Sequence, residues 1–330
     1  MPGPSEAHAL SDLLRRAAGD EPLSRRDADE AQRCIRADPV TEAFRAIGVR
    51  VDEGAGERLE LFRRAAAICP QMRLDVAGHE VAANISEVEL WRFYLPACQA
   101  IAGMAEGREG RLVVGVAGPG ASGKSVFAAL VREVIARAFS DRGLAAAACP
   151  MDGFHYPNAY LDSHLVDDGQ GGTVPLRVFK GLPQTMDAEA FRDALVRLKT
   201  EPAVAIPRYD RRIHDPVENG IQVGPGERVV IAEGNFLLLD QGRWAGLPDL
   251  LDLSVFLVQP LDTIRQALVA RHVLGGRSQE DALEQFERVD VRNYETCMGT
   301  LGRADLIVRR DGAQRVVAIE AGRFDSHSPL

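Results

Sequence analysis

Short runs of consecutive apolar residues alternate with longer amphipathic segments from residue 111 onward. Runs that are apolar throughout predict strands at 112–117, 145–151, 228–233, 253–258 and 305–309, with a further candidate at 315–320. Amphipathic periodicity predicts helices at 124–139, 187–199, 261–274 and 279–297. Strands that are apolar on both faces and separated by helices are typical of a parallel sheet covered on both sides. The pattern therefore predicts a three-layer α/β fold with a mainly parallel five-stranded sheet.

The first 110 residues have a different pattern, which is polar and helical. Pro39 and Pro70 each follow an amphipathic stretch and predict its end, and Ser86 with Glu89 forms a capping-box signature before a long helix. We predict an N-terminal helical region at 1–110, in which roughly the first 20 residues need not be ordered. A second domain at 111–330 follows it.

Composition and charge exclude several classes of protein. A chain of 330 residues with 46% hydrophobic content can bury a full core, and its net charge of −9 argues against a general nucleic-acid binder. The N-terminus has no signal-peptide pattern, and the apolar runs are too short to cross a bilayer. The five cysteines are scattered and lack CxxC pairing, as expected of reduced thiols. We therefore expect a cytoplasmic protein without a membrane or nucleic-acid partner.

The segment GPGASGKS at 118–125 satisfies the pattern G-x-x-x-x-G-K-[ST], between a predicted strand and a predicted helix. Glycines at 118 and 123 let the backbone curl so that its N–H groups face phosphate oxygens. Lys124 is placed to reach the β- and γ-phosphates, and the Ser125 hydroxyl to bind Mg²⁺. We predict a P-loop that binds ATP and Mg²⁺, with a phosphate cradle formed by Gly118, Gly120, Ala121, Ser122, Gly123, Lys124 and Ser125.

Two acidic residues follow predicted strands that end at the same edge of the sheet as this loop. Asp152, in MDGFHYPN, is either a base for a reacting hydroxyl or part of an Asp-Gly turn. Glu233 ends the strand VVIAE and is a candidate ligand of Mg²⁺ or its water, or else an ordinary strand-end carboxylate. Of the three lysines in the chain, Lys124 and Lys180 suggest places where a compact ammonium is needed, whereas Lys199 fits the polar end of a helix.

The motifs occur in the order found in the P-loop small-molecule kinases that include type I pantothenate kinase, uridine kinase and phosphoribulokinase. The chain resembles this group over about residues 85–310. The matching segments are ISEVELWRFYLPACQAI, GVAGPGASGKS, MDGFHYPN, FKGLPQTMDAEAF, IPRYDRRIHD, IAEGNFLLLD and ARHVLGGR. The resemblance implies the P-loop NTPase fold, ATP-dependent phosphorylation of a small molecule and a homo-oligomer such as a dimer.

The resemblance also implies a role for each matching residue. Asp152 would be the general base for the acceptor hydroxyl, and Ser125 and Glu233 would hold Mg²⁺. Arg277, together with Arg271, would belong to a lid over the transferring phosphoryl group. The acceptor pocket would be lined by Tyr209, Arg211 and His214, with Lys180 nearby. Asn293, in the helix after the lid, fits either an acceptor contact or a capping or surface role.

Two departures leave the acceptor open. Arg211 stands where pantothenate kinases have a histidine, and Lys180-Gly181 stands where uridine kinases have an aspartate that holds the ribose hydroxyls. The pattern is closer to a branch described as nucleoside-kinase-like or fructose-transport-associated. A kinase acting on a nucleoside, a sugar or a pantothenate-like compound is the leading hypothesis. The alternative is a nucleotide-binding regulator that phosphorylates nothing.

Overall fold

The computed structural model describes residues 4–19, 22–36, 38–51, 54–76, 79–169 and 171–322. The N-terminal region contains helices and one antiparallel hairpin. Its elements are α1 (Pro4–Ala18), α2 (Arg25–Arg36), α3 (Pro39–Ala46), α4 (Ala55–Ala65), the hairpin of β1 (Gln71–Val76) and β2 (His79–Asn84), α5 (Glu87–Glu89) and α6 (Leu95–Ala105). A π-helical turn, Leu90–Tyr94, joins the last two helices.

One expectation for this region needs correction, which is that it is helical throughout. The hairpin was missed because its strands, QMRLDV and HEVAAN, mix polar and apolar residues and lack the continuous apolar run of a buried strand. The chain start, for which the sequence left disorder open, contains α1 from Pro4 onward. This helix buries Leu10, Leu13 and Leu14, and burial of these side chains gives the segment a reason to fold.

The part of the chain after residue 110 supplies the remaining strands. They are β3 (Leu112–Ala117), β4 (Ala145–Pro150), β5 (Leu165–Asp167), β6 (Thr173–Pro175), β7 (Val204–Asp210), β8 (Asp215–Val223), β9 (Glu227–Gly234), β10 (Leu253–Val258), β11 (Leu306–Arg310) and β12 (Val316–Ala321). The hairpins β5–β6 and β7–β8 stand apart from the central sheet.

The central sheet has six strands, in the order β12-β11-β10-β3-β9-β4. Five strands of this sheet, β3, β4, β9, β10 and β11, are parallel to one another, as predicted. The sixth, β12, pairs antiparallel with β11. The five-stranded prediction is therefore one strand short. The candidate at 315–320 is that additional strand, because a tight turn after Arg310 returns the chain along the sheet edge.

Six further helices accompany this sheet. They are α7 (Lys124–Ala138), α8 (Asn158–Ser163), α9 (Ala188–Thr200), α10 (Leu261–Leu274), α11 (Gln279–Gln285) and α12 (Val291–Met298). The single helix expected over 279–297 is instead divided, since a π-helical turn at Phe286–Asp290 separates α11 from α12.

Two apolar cores lie on the two faces of the sheet. On one face, residues of the N-terminal region such as Phe44 and Trp91 belong to the same buried cluster as α7 and the strand residue Val114. On the other face, α9 and the segment after β9 pack together, with Phe191 and Phe236 fully buried. The N-terminal region therefore completes one layer of the sandwich. The division of the chain into domains at residue 110 stays a prediction.

The parallel register decides where the functional residues lie. Glu233 of β9 is opposite Val116 of β3 and Pro150 of β4. The loop after β3, the turn after β4 and the end of β9 therefore meet at one edge of the sheet. All five cysteines are free thiols. Among the described residues, no helix is long and apolar enough to cross a membrane.

Candidate active site

The phosphate cradle lies between β3 and α7, where the sequence predicted it. Ala121 has a φ of +59° and Gly123 a φ of +85°, so the loop turns through left-handed conformations before α7 begins at Lys124. A Cβ at position 123 would lie 1.8 Å from Nη1 of Arg310. Only glycine therefore fits at this position, for reasons of both conformation and space.

Lys124 and Ser125 begin α7 directly below the loop. The buried Lys124 Nζ donates to the Pro119 carbonyl at 2.8 Å, which holds the ammonium against the loop. Burial lowers the pKa of Lys124, and the negative charges of Glu233 and Asp152 oppose that shift. The lysine is thus held among groups that favour its charged form.

Ser125 and Glu233 form a pair of oxygen donors. Ser125 Oγ donates to Glu233 Oε1 at 2.8 Å, although the two residues are 108 positions apart. Burial raises the pKa of Glu233, and the charge of Asp152 raises it further. Hydroxyl and carboxylate oxygens are the hard ligands that Mg²⁺ prefers, and a divalent cation would offset the repulsion between the two carboxylates. The residues fit the predicted magnesium site.

Asp152 lies in a turn of 3₁₀ helix, Met151–Phe154, that follows β4. The turn reading of Asp-Gly is correct for the backbone, but Gly153 also has a packing role. A Cβ there would lie 2.4 Å from the Pro207 carbonyl oxygen, so the turn approaches β7 closely. Within the described residues, no hydrogen bond or ion pair engages the Asp152 carboxylate. It is open to an incoming group.

The charge of Asp152 affects the pKa of ionisable groups throughout the site. Its carboxylate raises the pKa of six surrounding groups, namely Lys124, His155, Lys180, Tyr209, Glu233 and Arg271. Such an effect falls off quickly with distance and solvent, so these groups surround the carboxylate. The structure thus brings together residues that are spread from position 124 to position 271.

Two arginines complete this arrangement. Desolvation by neighbouring groups lowers the pKa of Arg271, although part of the residue is exposed, and the positive charge of Arg211 lowers it further, so the two guanidinium groups lie within electrostatic reach of each other. Neither has a carboxylate within ion-pair distance in the described part of the chain, and Arg211 Nε is buried without a partner. Two like charges without an ion-paired carboxylate are suited to a polyanion. Arg277 lies beyond the end of α10 and, like Arg271, is exposed, but its side chain makes no hydrogen bond or ion pair with a described residue.

The predicted acceptor residues lie beside Asp152 but differ in their contacts. The Tyr209 ring lies 5.2 Å from the His155 ring, and burial, followed by the charge of Asp152, raises the Tyr209 pKa to about 12. Lys180 Nζ donates to Asn158 Oδ1 at 2.6 Å and to the His214 carbonyl at 2.7 Å. The His214 side chain is exposed. Lys180 therefore fastens the loop that borders the pocket, as well as lying 5.2 Å from the Tyr209 ring.

Asn293 is neither a cap nor a surface residue. Its side chain is buried on α12, where Nδ2 donates to the Gly181 carbonyl at 2.8 Å. Its Oδ1 is also buried and has no partner among the described residues. This free acceptor lies next to the segment that carries Lys180, and an acceptor contact by Asn293 stays a prediction.

Two further residues border this site: His155, which the sequence left open between a substrate contact and a solvated side chain, and Asn158, which was not among the predicted site residues. His155 Nδ1 lies 2.8 Å from the Asp152 carbonyl, and burial lowers the His155 pKa, so the neutral ring donates from Nδ1 and leaves Nε2 as an acceptor. Asn158 N donates to Asp215 Oδ1 at 2.8 Å and links α8 to β8. Their place within MDGFHYPN, three and six residues after Asp152, was the available signal.

Comparison with known proteins agrees with this geometry. The model of the phosphoribulokinase / uridine kinase family matches residues 113–317, which is more than half of the chain. The chain belongs to this family. The match begins in β3 and ends in β12, so it includes all or part of every strand of the central sheet and leaves the N-terminal region outside.

Individual relatives of this kinase carry different names. The chain is 33% identical over 240 residues, 72% of its length, to the uncharacterized protein YggC of Escherichia coli, of which 94% is covered. It is 28% identical to a uridine kinase of Shewanella frigidimarina, over 62% of this chain and 90% of that one. A crystal structure of a candidate fructose transport system kinase from Silicibacter superposes with a TM-score of 0.52 at 31% identity, over 62% of this chain and 93% of that one.

Proposed function

We propose that this kinase transfers the γ-phosphoryl group of ATP to a hydroxyl of a small metabolite, with Asp152 as the general base. The observation that carries the proposal is the Asp152 carboxylate, which has no partner among the described residues and lies among Lys124, Glu233 and Arg271. Phosphoryl transfer requires mainly positioning and neutralisation of charge. The cluster offers both.

Each residue would contribute one action. The cradle backbone and Lys124 bind the β- and γ-phosphates, and Arg211 and Arg271 neutralise the charge that develops on the transferring group. Asp152 accepts a hydrogen bond from the acceptor hydroxyl, orients it, and takes its proton as the oxygen attacks the γ-phosphorus. The bond from that phosphorus to the bridging oxygen of the β-phosphate breaks, and ADP leaves with the electron pair. Tyr209, His155 and Asn293 border the acceptor, and His155 Nε2 and Asn293 Oδ1 supply hydrogen-bond acceptors.

Ser125 and Glu233 would hold Mg²⁺, which would offset the negative charge of the phosphates when bound. The hydrogen bond from Ser125 to Glu233 supports a shared role for the two oxygens.

The test is an ADP-release screen of the purified protein with ATP and separate panels of nucleosides, sugars, polyols and pantothenate. We expect turnover above the acceptor-free rate with one class. ATP binding without turnover on any acceptor would contradict the proposal and favour a nucleotide-binding regulator.

A homodimer remains a prediction that sizing in solution would check.

Glu233→Gln should raise the Mg²⁺ concentration needed for half-maximal turnover by about 10–100-fold, because the amide loses the negative charge but keeps the shape. Titration of turnover with Mg²⁺ at saturating ATP measures this change. Glu227→Gln at the other end of β9 is the matched control and should leave the titration unchanged. An unchanged Mg²⁺ requirement in Glu233→Gln would exclude Glu233 as a ligand of Mg²⁺.

A further inference from the structure

Arg310 is a buried cation that the proposed reaction does not use. It ends β11, on the far side of the cradle from Asp152, and its side chain is only 7% exposed. Arg310 Nη1 donates to the Ser122 carbonyl at 3.2 Å and to the Gly123 carbonyl at 3.3 Å. These two carbonyls belong to the loop that would bind phosphate.

A buried guanidinium needs acceptors, and the cradle carbonyls need donors. When Arg310 holds these carbonyls, it fixes the orientation of the peptide groups in the loop. It also adds a fixed positive charge behind the cradle, in surroundings with little water, where charges act over longer distances. Gly123 is the residue that leaves space for this contact, because a side chain there would collide with Arg310.

The backbone position of Arg310 is set by the sheet edge. Arg310 is the register partner of Val316, the first residue of β12, and the two flank a tight turn. Arg310 Nε donates to the Gln314 carbonyl at 2.7 Å within that turn. Asp311 accepts from the backbone N–H groups of Ala313 and Arg315 and braces the same turn.

Glu89 of the N-terminal region is hydrogen-bonded to the residue that follows this turn. Its Oε1 accepts the Val316 N–H at 2.9 Å, a contact between residues 227 positions apart. Ser86 Oγ accepts the Glu89 N–H at 3.1 Å, as the capping-box signature predicts, but the Glu89 side chain reaches across to β12 and not back to Ser86. Only 7% of Glu89 is exposed. An acid buried at this depth needs a specific partner.

Charge supports the same connection. Burial raises the pKa of the Glu89 carboxyl, whereas the bond from Val316 and the charge of Arg310 lower it. Around Glu89, Arg315 also favours the ionised form and Asp311 opposes it. Contact with the N-terminal region continues beside this point, because α3 packs against β12.

We propose that the N-terminal region holds the nucleotide cradle in its binding geometry through Glu89, Val316 and Arg310, with Arg310 as the positioning residue. Each link is a hydrogen bond or a strand pairing, and the path runs from α5 through the β11–β12 turn to Ser122 and Gly123. This inference assigns a role to a region that lies outside the family match. It rests on the proposed function only in taking ADP as the ligand of the cradle.

The experiment compares Arg310→Gln, Arg310→Lys, Glu89→Ala and Glu89→Gln in the full chain. Arg310→Gln and Glu89→Ala should weaken ADP binding in Mg²⁺ buffer by about 10–100-fold, the range for a lost hydrogen bond to a charged group. Arg310→Lys keeps the charge but loses the planar set of guanidinium donors. Its ADP affinity should lie between those of Arg310→Gln and the wild type. Glu89→Gln keeps an acceptor oxygen for Val316 and should remain within about threefold of the wild type.

Amide hydrogen exchange provides a readout that does not depend on nucleotide. In Arg310→Gln and Glu89→Ala, residues 118–125 should exchange at least about tenfold faster, while the amides of β9 keep their protection. The matched controls are Arg309→Gln, which removes an exposed pair with Glu320, and Glu87→Ala on the same short helix. Both should leave exchange and ADP binding unchanged.

The outcomes separate the two proposals. If the wild-type protein does not bind ADP, the proposed function fails, and exchange at residues 118–125 still decides whether the cradle is held in this way. A lower melting temperature in Arg310→Gln without faster exchange at residues 118–125 would overturn the inference, since Arg310 would then be only a structural residue. Equal exchange at residues 118–125 in Glu89→Ala and the wild type would show that the N-terminal region does not hold the cradle.

Discussion

Asp152→Asn should abolish most phosphoryl transfer while leaving nucleotide binding intact. We expect the turnover number to fall by about 10²–10⁴-fold, the usual contribution of a positioned general base. The amide keeps the size of the side chain but cannot take the proton of the acceptor hydroxyl. ADP affinity should stay within about threefold, because the Asp152 carboxylate makes no hydrogen bond or ion pair with a residue of the cradle. Steady-state kinetics with the acceptor found by the screen, together with ADP calorimetry, would measure both quantities.

The matched control for this change is Asp249→Asn, an exposed aspartate on the surface after β9. It should leave both turnover and binding unchanged. Full turnover in Asp152→Asn would exclude Asp152 as the base and leave it as part of the turn. Loss of ADP binding together with turnover would instead indicate that the substitution disturbs the cradle, since Glu233 and Lys124 both lie within the influence of its charge.

Arg271→Gln and Arg211→Gln should each lower kcat/KM by about 10³-fold, the lower end of the effect of an arginine that stabilises a transferring phosphoryl group. The physical reason is that the two guanidinium groups are held together without carboxylate partners among the described residues, so their mutual repulsion is relieved when a polyanion binds. The double variant should lose less than the product of the two single effects, because both groups act on the same charge.

Arg277→Gln is the internal comparison for this prediction. The resemblance implies a lid role for Arg277, but its exposed side chain makes no hydrogen bond or ion pair with a described residue. If the arrangement in the structure is the one used in catalysis, Arg277→Gln should cost less than about tenfold in kcat/KM. A loss as large as that of Arg271→Gln would show that α10 and the residues after it move toward the phosphates during turnover.

Much of the fold could be predicted because the signals are local. A continuous apolar run such as LVVGVA and a following glycine-rich segment specify a buried strand and a phosphate-binding turn within about 15 residues. The strands of the sheet after residue 110 are therefore within a residue or two of their predicted bounds. The β1–β2 hairpin was missed because its strands, which sit outside the central sheet, lack such a run.

The sequence by itself determined the phosphate cradle, the parallel sheet and the two acidic residues at its edge, because each depends on residues that are neighbours in the chain. Only the tertiary structure decided that Arg211 and Asp152 lie within electrostatic reach of Arg271, and that the Val316 N–H donates to Glu89. These contacts join residues up to 227 positions apart. Strand order and register set such distances, and no local pattern of residues encodes them.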